Sequence, residues 1–233
     1  MRHHGAGSFN EYFQVLTEGG ESGELRVAID LLTTHETYFF REPKHFDFLR
    51  DQVLAGWKPG RQFRAWSAAS SSGEEPYSIA MLLADKLGDG PWEVLGSDIS
   101  EHALERARAG HYALERLDDL PKRYLSQYCL KGIGSQEGSF LIARELRSRV
   151  GFMRVNLNAD LPNLGAFDVI FLRNVMIYFD MGTKQQVVAR MLPLLKPGGH
   201  FIIGHAESLN GVTEGLQAVA LSIYQGRDAR GGR

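Results

Sequence analysis

From residue 43 onward, the chain alternates between short apolar runs and longer amphipathic runs. Phe46, Leu49, Val53 and Leu54 recur at helical spacing and predict a helix at the start of this series. The later runs predict, in order, strand 62–68, helix 75–87, strand 92–98, helix 100–109, strand 167–174, helix 183–195 and strand 200–208. Strands separated by helices of this length predict a mostly parallel sheet covered on both faces, which is an α/β, Rossmann-like fold.

Two local signals mark boundaries in this series. Ser100 stands where a helix N-cap is expected, and KPGG (196–199) is typical of a breaker between a helix and a strand. The last strand is therefore expected to begin only after Gly199.

Residues 111–155 interrupt the alternation and predict a small inserted β-subdomain. They contain a helical piece over 120–128, a glycine-rich turn, KGIGSQEG (131–138), and two strand-like runs, SFLIA and GFMRV. At the start of the chain, residues 1–32 hold two short amphipathic runs. The chain is thus divided into a short helical segment and a main domain, 33–233, that carries the insertion.

The composition is that of a folded globular protein, with 43% hydrophobic and 23% charged residues. The formal charge of −2 provides no overall excess of positive charge for binding nucleic acid or an anionic membrane. The single cysteine, Cys129, excludes an intrachain disulfide and a cysteine-cluster metal site. No apolar stretch reaches the roughly 20 residues that cross a bilayer, and no secretion signal opens the chain, so a cytoplasmic location is expected.

Polar residues directly follow several of the predicted strands. Asp98, Asn174 and Glu207 lie at such ends, and the small-residue loop 68–73 follows the first strand. Ligands of open α/β sheets bind at the carboxyl ends of the strands, near the switch in strand order. This shared rim is therefore the predicted binding site.

The loop lacks the features of a phosphate-binding loop. Gly73 is followed by Glu74 rather than by the lysine of G-x-x-x-x-G-K-[ST], and its single glycine does not satisfy G-x-G-x-x-G. Two adjacent carboxylates, Glu74 and Glu75, would also repel a phosphate. These residues favour a cationic nucleoside without phosphates.

S-adenosylmethionine is such a ligand, because it carries an ammonium, a sulfonium and an adenosine. Glu74 is the candidate for holding the ammonium, and Asp98 is the candidate acceptor for the two ribose hydroxyls. Glu75 is interpreted instead as an acid that is favourable at a helix N-terminus. Since nicotinamide enzymes also carry an acid at a strand end, Asp98 alone does not decide the cofactor.

Six segments resemble the CheR-type chemotaxis receptor methyltransferases in order and spacing. They are TTHETYFFREP (33–43), WSAASSSGEEPYSIAM (66–81), GSDIS (96–100), VNLN (155–158), FLRNVMIYFD (171–180) and GHAES (204–208). The resemblance covers about Leu32 to Leu209 and implies an enzyme that uses S-adenosylmethionine to methylate glutamate side chains of chemotaxis receptors, forming methyl esters and S-adenosylhomocysteine. The expected partners are the receptors' cytoplasmic signalling helices, without nucleic acid or membrane insertion, and the expected state is a monomer.

The resemblance also implies the cofactor contacts His35, Thr37, Arg41, Glu74, Asp98, Asn156, Leu157, Asn174 and Val175. Two positions depart from the family pattern, since His35 stands where many members have asparagine and Ser70 where many have cysteine. Both departures are expected to retune the pocket without abolishing it.

The first 32 residues differ more from the family, whose members usually open with a longer helical domain that has a basic face toward the receptor. Here this segment carries two arginines and five acids, a charge of −3, and is interpreted as a shortened N-terminal domain. The insertion corresponds to the family's small β-subdomain, which in some members grips a tethering peptide at the receptor's C-terminus. A surface hairpin that only covers a sheet edge is the open alternative.

A glutamate acceptor needs no general base, because its ordinary pKa of about 4.3 leaves it ionised at neutral pH. Arg41 is the candidate for steering the incoming carboxylate, and an ion pair with Glu42, Glu74 or Glu75 is the open alternative for its side chain. Tyr178 is the candidate for lining the acceptor channel, with core packing as its alternative.

The remaining rim residues and the histidines carry weaker signals. His205 and Glu207 are expected to shape the rim, and no histidine spacing indicates a metal site. Methylation of base amino groups is usually marked by [DNS]-P-P-[YFW], whereas residues 173–176 read RNVM. Methylation at cytosine carbon needs a nucleophilic cysteine, and Cys129 lies in the insertion. Small-molecule methylation and a cofactor-binding regulatory or scaffold role stay open.

Overall fold

The computed structural model describes residues 7–18, 23–32, 36–58, 60–117 and 119–227. The strands are β1 (Phe63–Ser67), β2 (Trp92–Asp98), β3 (His111–Ala113), β4 (Cys129–Lys131), β5 (Ser139–Ile142), β6 (Val150–Arg154), β7 (Phe167–Leu172), β8 (Leu195–Ile203), β9 (Leu216–Ala220) and β10 (Ile223–Gly226). The α-helices are α1 (Phe9–Glu18), α2 (Gly23–Leu32), α3 (Pro43–Phe48), α4 (Glu74–Leu87), α5 (Glu101–Ala109), α6 (Lys122–Tyr128), α7 (Arg144–Arg147) and α8 (Met181–Met191). Each helix in these ranges is too short or too polar to cross a lipid bilayer.

Seven strands of the described chain form the main sheet, in the order β6-β2-β1-β7-β8-β10-β9. The first five run parallel to one another, and β10 pairs antiparallel with both β8 and β9. From β1 the chain moves toward one edge and from β7 toward the other, so the switch in strand order lies between these two strands. The predicted Rossmann-like α/β sheet is confirmed, and its crevice opens at the carboxyl ends of β1 and β7.

The core occupies both faces of this sheet. All six residues of β7 are buried. Val169 and Phe171 belong to the cluster that includes α4, whereas Ile170 and Leu172 belong to the cluster that includes α8. A strand without polar interruptions is typical of the centre of a parallel sheet, where helices cover both faces.

The boundary predicted at KPGG (196–199) is wrong, because these residues lie inside β8. Their pairing with β7 passes through a register shift between Phe167 and Val169, and Gly198 has a φ of 72°. Such an irregular start of a strand tolerates proline and glycine, which a regular central ladder would not. Because β8 ends at Ile203, His205 and Glu207 lie on the loop beyond it rather than within a strand.

The run GFMRV, expected in the insertion, belongs to the main sheet instead. It forms β6, which pairs parallel with β2 from the Val94–Val150 register to the Asp98–Arg154 register. As the edge strand of the main sheet, β6 is only partly covered, with a burial pattern that is mostly intermediate or exposed. Its sequence therefore lacks the continuous apolar character that marks the inner strands.

The insertion contains a second sheet, with the antiparallel order β3-β5-β4. The predicted glycine-rich turn, 131–138, leads into β5, which the run SFLIA predicted, from β4, which was not predicted. Tyr112 and Phe140 are buried against Phe39. The predicted small β-subdomain therefore exists as a sheet that shares the main core. Whether it grips a peptide stays a prediction.

The two amphipathic runs near the start of the chain form α1 and α2. The Tyr12 hydroxyl donates a 2.6 Å hydrogen bond to Glu24 and joins the two helices. Ala28 of α2 is buried, whereas Leu31 and Leu32 at its end are exposed. The end of α2 therefore places exposed apolar side chains beside the rim of the main sheet, where Leu32 reaches the cavity described below.

Candidate functional site

A cavity of about 550 Å³ lies at the carboxyl ends of the parallel strands. This volume is within the roughly 300–1,000 Å³ of small-molecule sites. Its walls come from the segment before α3 and from the loops after β1, β2, β6 and β7. They include Leu32, Glu36, Thr37, Arg41, Ala68, Ala69, Ser71, Glu75, Asp98, Ile99, Val155, Asn156, Leu157, Asn158, Arg173, Asn174, Val175, Tyr178 and Phe179. The predicted rim is therefore the place where the structure forms a cavity.

The loop between β1 and α4 is tightly folded against the neighbouring strand end. Ser70 donates its backbone N–H to Ser97 O at 2.8 Å, and Ser71 takes up a left-handed conformation with a φ of 48°. Gly73, with a φ of 97°, caps α4, and a Cβ at this position would lie 2.8 Å from the Cβ of Ala107. Small residues are thus required here because the backbone passes close to α5.

Asp98 is fixed at the end of β2 by two backbone donors. Its carboxylate accepts the Ser71 N–H at 2.8 Å and the Ser100 N–H at 3.0 Å. Ser100 caps α5 as predicted, accepting the Ala103 N–H at 3.0 Å. Asp98 therefore presents a carboxylate of fixed orientation to the cavity, next to the Ser71 hydroxyl, which is buried and has no partner among the described residues.

Glu74 and Glu75 face different surroundings: Glu74, the predicted ligand-facing acid, is turned away from the cavity, whereas Glu75 lies in the first turn of α4, as predicted, and also on the cavity wall. Glu75 lines the cavity and accepts hydrogen bonds from the Ser67 hydroxyl and from Arg173, both at 2.7 Å. Glu74 is 0% exposed and is absent from the cavity wall. Successive residues of a helix differ by about 100° in direction, so one carboxylate reaches the cavity and the other the interior.

The surroundings of Glu74 explain how a carboxylate is accommodated there. It accepts a 2.7 Å hydrogen bond from the Ser72 hydroxyl and pairs with Arg116 at 3.2 Å. Burial raises the pKa of the Glu74 carboxyl, and these contacts only partly offset that effect. Glu74 therefore joins α4 to the insertion, through Arg116, rather than facing the cavity.

The residues that follow β6, 155–158, form another part of the cavity wall. Asn156 accepts the Asn158 N–H through its side-chain oxygen at 2.9 Å, which folds this segment into a tight turn. Val155 and Leu157 are buried and add apolar surface to the cavity. A polar turn with apolar flanks is suited to a planar ring with hydrogen-bonding edges.

The segment after β7 is held by Glu207. Its carboxylate accepts the backbone N–H groups of Asn174 at 2.9 Å, Met176 at 2.7 Å and Gly204 at 2.7 Å. Asn174 is left-handed, with a φ of 57°, and a Cβ at Gly204 would lie 2.6 Å from its side-chain nitrogen. Glu207 therefore shapes the rim by fixing the backbone that carries Asn174 and Val175 into the cavity wall.

The two residues predicted to meet the acceptor lie on the cavity wall. The Arg41 guanidinium donates to Glu36 O at 2.7 Å and stacks over Tyr38 at 5.5 Å. Among the described residues, no ion pair joins it to Glu42, Glu74 or Glu75, which was the alternative for this side chain. Tyr178 is 62% exposed, so its alternative role as a core residue is wrong.

Eight of the predicted site residues come together around this cavity. They are Thr37, Arg41, Asp98, Asn156, Leu157, Asn174, Val175 and Tyr178. Glu74 lies behind the wall, and His35 lies outside the described residues. Neither Glu75 as a wall residue nor Arg173 as its partner was predicted from the sequence. Arg173 could have been predicted as a site residue because it is a charged residue that directly follows an apolar strand.

Glu42, His45 and His205 form a further cluster next to the cavity, and within the described chain their ligand atoms lie within 4.8 Å of one another. The His45 ring is fully buried, and burial together with the nearby Arg173 lowers its pKa to about 3. The surroundings that keep His45 uncharged also disfavour a metal cation there. Burial alone would raise the pKa of Glu42, but its ion pair with Arg173 holds that pKa below the usual value.

The wall residues fit S-adenosylmethionine better than a phosphorylated nucleotide. Carboxylates of Glu75 and Asp98 lie on the cavity wall, where they suit an ammonium and a pair of hydroxyls and would repel a phosphate. The unpartnered Ser71 hydroxyl is a further hydrogen-bonding group that a ligand would satisfy. The apolar surface of Val155, Leu157 and Val175 matches a neutral base.

Comparison with known proteins agrees with this chemistry. The family model described as CheR methyltransferase, SAM binding domain, matches residues 35–225. The chain belongs to the CheR methyltransferase family. Its cofactor is therefore S-adenosylmethionine, and its enzyme class is the methyltransferases of this family.

Individual relatives cover nearly the whole chain. The chemotaxis protein methyltransferase of Escherichia coli is 44% identical over 96% of this chain and 78% of its own length. Chemotaxis protein methyltransferase 2 of Pseudomonas aeruginosa is 42% identical over 94% of this chain and 78% of its own length. Among solved structures, the N-methyltransferase NodS of Bradyrhizobium japonicum, in complex with S-adenosyl-L-homocysteine, covers 93% of this chain at 14% identity with a TM-score of 0.48.

Proposed function

We propose that this protein transfers a methyl group from S-adenosylmethionine to glutamate side chains on the cytoplasmic signalling helices of chemotaxis receptors. The observation that carries the proposal is the cavity at the sheet crevice. Its wall contains the carboxylates of Glu75 and Asp98, which suit the cofactor, and also Arg41 and Tyr178, which suit the acceptor. The relatives in Escherichia coli and Pseudomonas aeruginosa are chemotaxis protein methyltransferases, which makes a chemoreceptor the expected acceptor.

Each wall would hold one part of the cofactor. Asp98, already oriented by two backbone N–H groups, accepts hydrogen bonds from the ribose hydroxyls. Glu75 faces the ammonium group, and the turn at Asn156 and Leu157 lies against the adenine. Thr37, Asn174 and Val175 complete the wall, and His35 stays a predicted contact. When bound, S-adenosylmethionine supplies an electrophilic methyl group on a sulfonium.

The protein contributes placement rather than proton transfer. The acceptor carboxylate is ionised at neutral pH, so no side chain has to remove a proton from it. Arg41 holds one carboxylate oxygen and leaves the other free to attack, because a guanidinium can bind a single oxygen firmly. Tyr178, exposed at the mouth, donates its hydroxyl to the same carboxylate. Apolar wall residues exclude water from the reacting oxygen.

The test is transfer of tritiated methyl from S-adenosylmethionine to a purified receptor cytoplasmic fragment, measured as base-labile label released as methanol. We expect label that disappears when the receptor's acceptor glutamates are replaced by alanine. A chain that binds S-adenosylmethionine and leaves the receptor unlabelled would contradict the proposed acceptor and favour a regulatory role or another substrate.

Two variants assign roles within the same assay. Asp98→Asn should abolish both cofactor binding and methyl transfer, and unchanged affinity would contradict the ribose assignment. Arg41→Ala should reduce methyl transfer by about a hundredfold or more, the scale of a lost positioning contact, while cofactor binding falls much less. Equal losses of binding and turnover in Arg41→Ala would assign it to the cofactor alone.

A further inference from the structure

Arg173 is a buried guanidinium that joins three separate elements at the cavity. It follows β7 directly and is 5% exposed. One terminal nitrogen donates to Glu75 at 2.7 Å in the first turn of α4. The other donates to the Arg41 carbonyl at 2.5 Å and to the Glu42 carboxylate at 3.0 Å, just before α3. A single side chain thus contacts both the cofactor wall and the segment that carries Arg41.

The backbone that Arg173 grips is conformationally strained. Phe40 and Glu42, on either side of Arg41, have positive φ values of 54° and 59°. Non-glycine residues persist in this region only where surrounding contacts fix them. Phe40 is held through its N–H by the Ser78 hydroxyl at 2.9 Å, and Arg173 holds the next two residues. Removal of Arg173 would therefore release the backbone at Arg41.

On its other side, Arg173 fixes a charge that faces the cavity. The Glu75 carboxylate is shared between the Ser67 hydroxyl and Arg173, so its orientation depends on both donors. A buried carboxylate and a buried guanidinium that lose one partner are strongly destabilised, because the remaining charge is left uncompensated. The two charges therefore keep each other in place on the cavity wall.

We propose that Arg173 is a positioning residue that sets Glu75 and the Arg41–Glu42 segment in their places around the cofactor and the acceptor. A planar guanidinium is needed because its two terminal nitrogens donate hydrogen bonds to partners on different elements at the same time. A lysine carries one compact charge and cannot reproduce this arrangement. The inference rests on the proposed cofactor site, and it adds a residue that acts through others rather than by touching the methyl group.

The experiment compares Arg173→Lys and Arg173→Met with the unaltered protein by calorimetric titration with S-adenosylmethionine. We expect an affinity loss of about tenfold or more in Arg173→Met, the usual effect of losing hydrogen bonds to charged groups, and a smaller loss in Arg173→Lys. Affinity unchanged in both variants overturns the proposal. If the unaltered protein itself fails to bind S-adenosylmethionine, the proposed function fails instead.

Arg64→Met provides a matched control for general destabilisation. Arg64 also joins separate segments, since it pairs with Glu93 at 2.5 Å and donates to the Leu164 and Ala166 carbonyls at 3.0 and 3.1 Å, but it does not line the cavity. We expect this variant to lose stability and keep its cofactor affinity within about twofold, because the two sites share no partners. An equal affinity loss in Arg64→Met would overturn a positioning role for Arg173.

Hydrogen exchange gives a readout that does not depend on ligand binding. The amides of residues 40–42 should exchange faster in Arg173→Lys than in the unaltered protein, and Arg64→Met should leave them unchanged. If Arg173→Met does not fold, Arg173→Lys and Glu42→Gln carry the test, since Arg173→Lys keeps the positive charge without the planar fork and Glu42→Gln removes the charge of one partner of Arg173. Unaltered exchange at 40–42 in both of these variants overturns the proposal.

Discussion

At the scale of single residues, the adjacent carboxylates of Glu74 and Glu75 have different roles. Glu75 faces the cavity from the first turn of α4, and Glu74 is buried against Ser72 and Arg116. Composition and motif spacing predict an acidic loop for an ammonium-bearing ligand, but they do not say which of two neighbours points outward. That choice depends on the helix starting at Glu74 with Gly73 as its cap.

Substitution of each carboxylate by its amide should distinguish the role of Glu75 from that of Glu74. Glu75→Gln should weaken S-adenosylmethionine binding by about tenfold to a hundredfold, because it removes a charge that faces the ammonium. Glu74→Gln should change the affinity by less than about threefold, because it lies behind the wall and can still accept from Ser72. Calorimetric titration measures both, and a larger loss in Glu74→Gln would restore Glu74 as the ligand-facing acid.

At the scale of elements, apolar runs and helix signals locate the inner strands, α4, α5 and α8, because these elements are covered on both sides or carry clear caps. Edge elements are harder to predict. β6 has little apolar continuity because one of its sides lacks a neighbouring strand, and β9 and β10 were not predicted at all. The start of β8 at KPGG (196–199) also depends on its pairing with β7, which a single sequence does not reveal.

The packing of α4 against α5 provides a prediction at this scale. Gly73→Ala should lower the free energy of unfolding by about 2–4 kcal/mol, since it combines a left-handed backbone with a methyl group 2.8 Å from Ala107. Gly211 has a similar φ of 73° but open space around it, so Gly211→Ala should cost only about 1 kcal/mol. Urea unfolding of both variants measures the difference, and equal costs would show that the contact with α5 is unimportant.

At the scale of the whole molecule, the polar cluster beside the cavity links pH to global stability. His45 is held neutral in the folded state, with a pKa of about 3, whereas an unfolded histidine titrates near its ordinary value of 6.5. Between these values the unfolded chain binds a proton that the folded protein does not, so stability falls as the pH is lowered. Above about pH 6.5, His45 contributes little to the dependence of stability on pH.

His45→Gln should therefore flatten the dependence of stability on pH between about 6.5 and 5, where the contribution of His45 approaches 1.4 kcal/mol per pH unit. This window avoids the more acidic range, in which Glu42 loses its pairing with Arg173. Urea midpoints at three pH values give the measurement. His102→Gln is the control, because that ring is exposed on α5. A slope in His45→Gln equal to that of the unaltered protein would contradict the assignment.

The left-handed residues around the cavity have a consequence for protein engineering. Among the described residues, five non-glycine positions have positive φ, and four of them, Phe40, Glu42, Ser71 and Asn174, line the cavity or flank Arg41. Each is a place where glycine would relax the backbone. At Phe40 and Glu42 the lost core packing and the lost ion pair with Arg173 would outweigh that relief, but the Ser71 hydroxyl has no hydrogen-bond partner among the described residues. A selection for thermostability alone would therefore favour glycine at Ser71, and it would replace a preorganised part of the pocket with a less strained backbone.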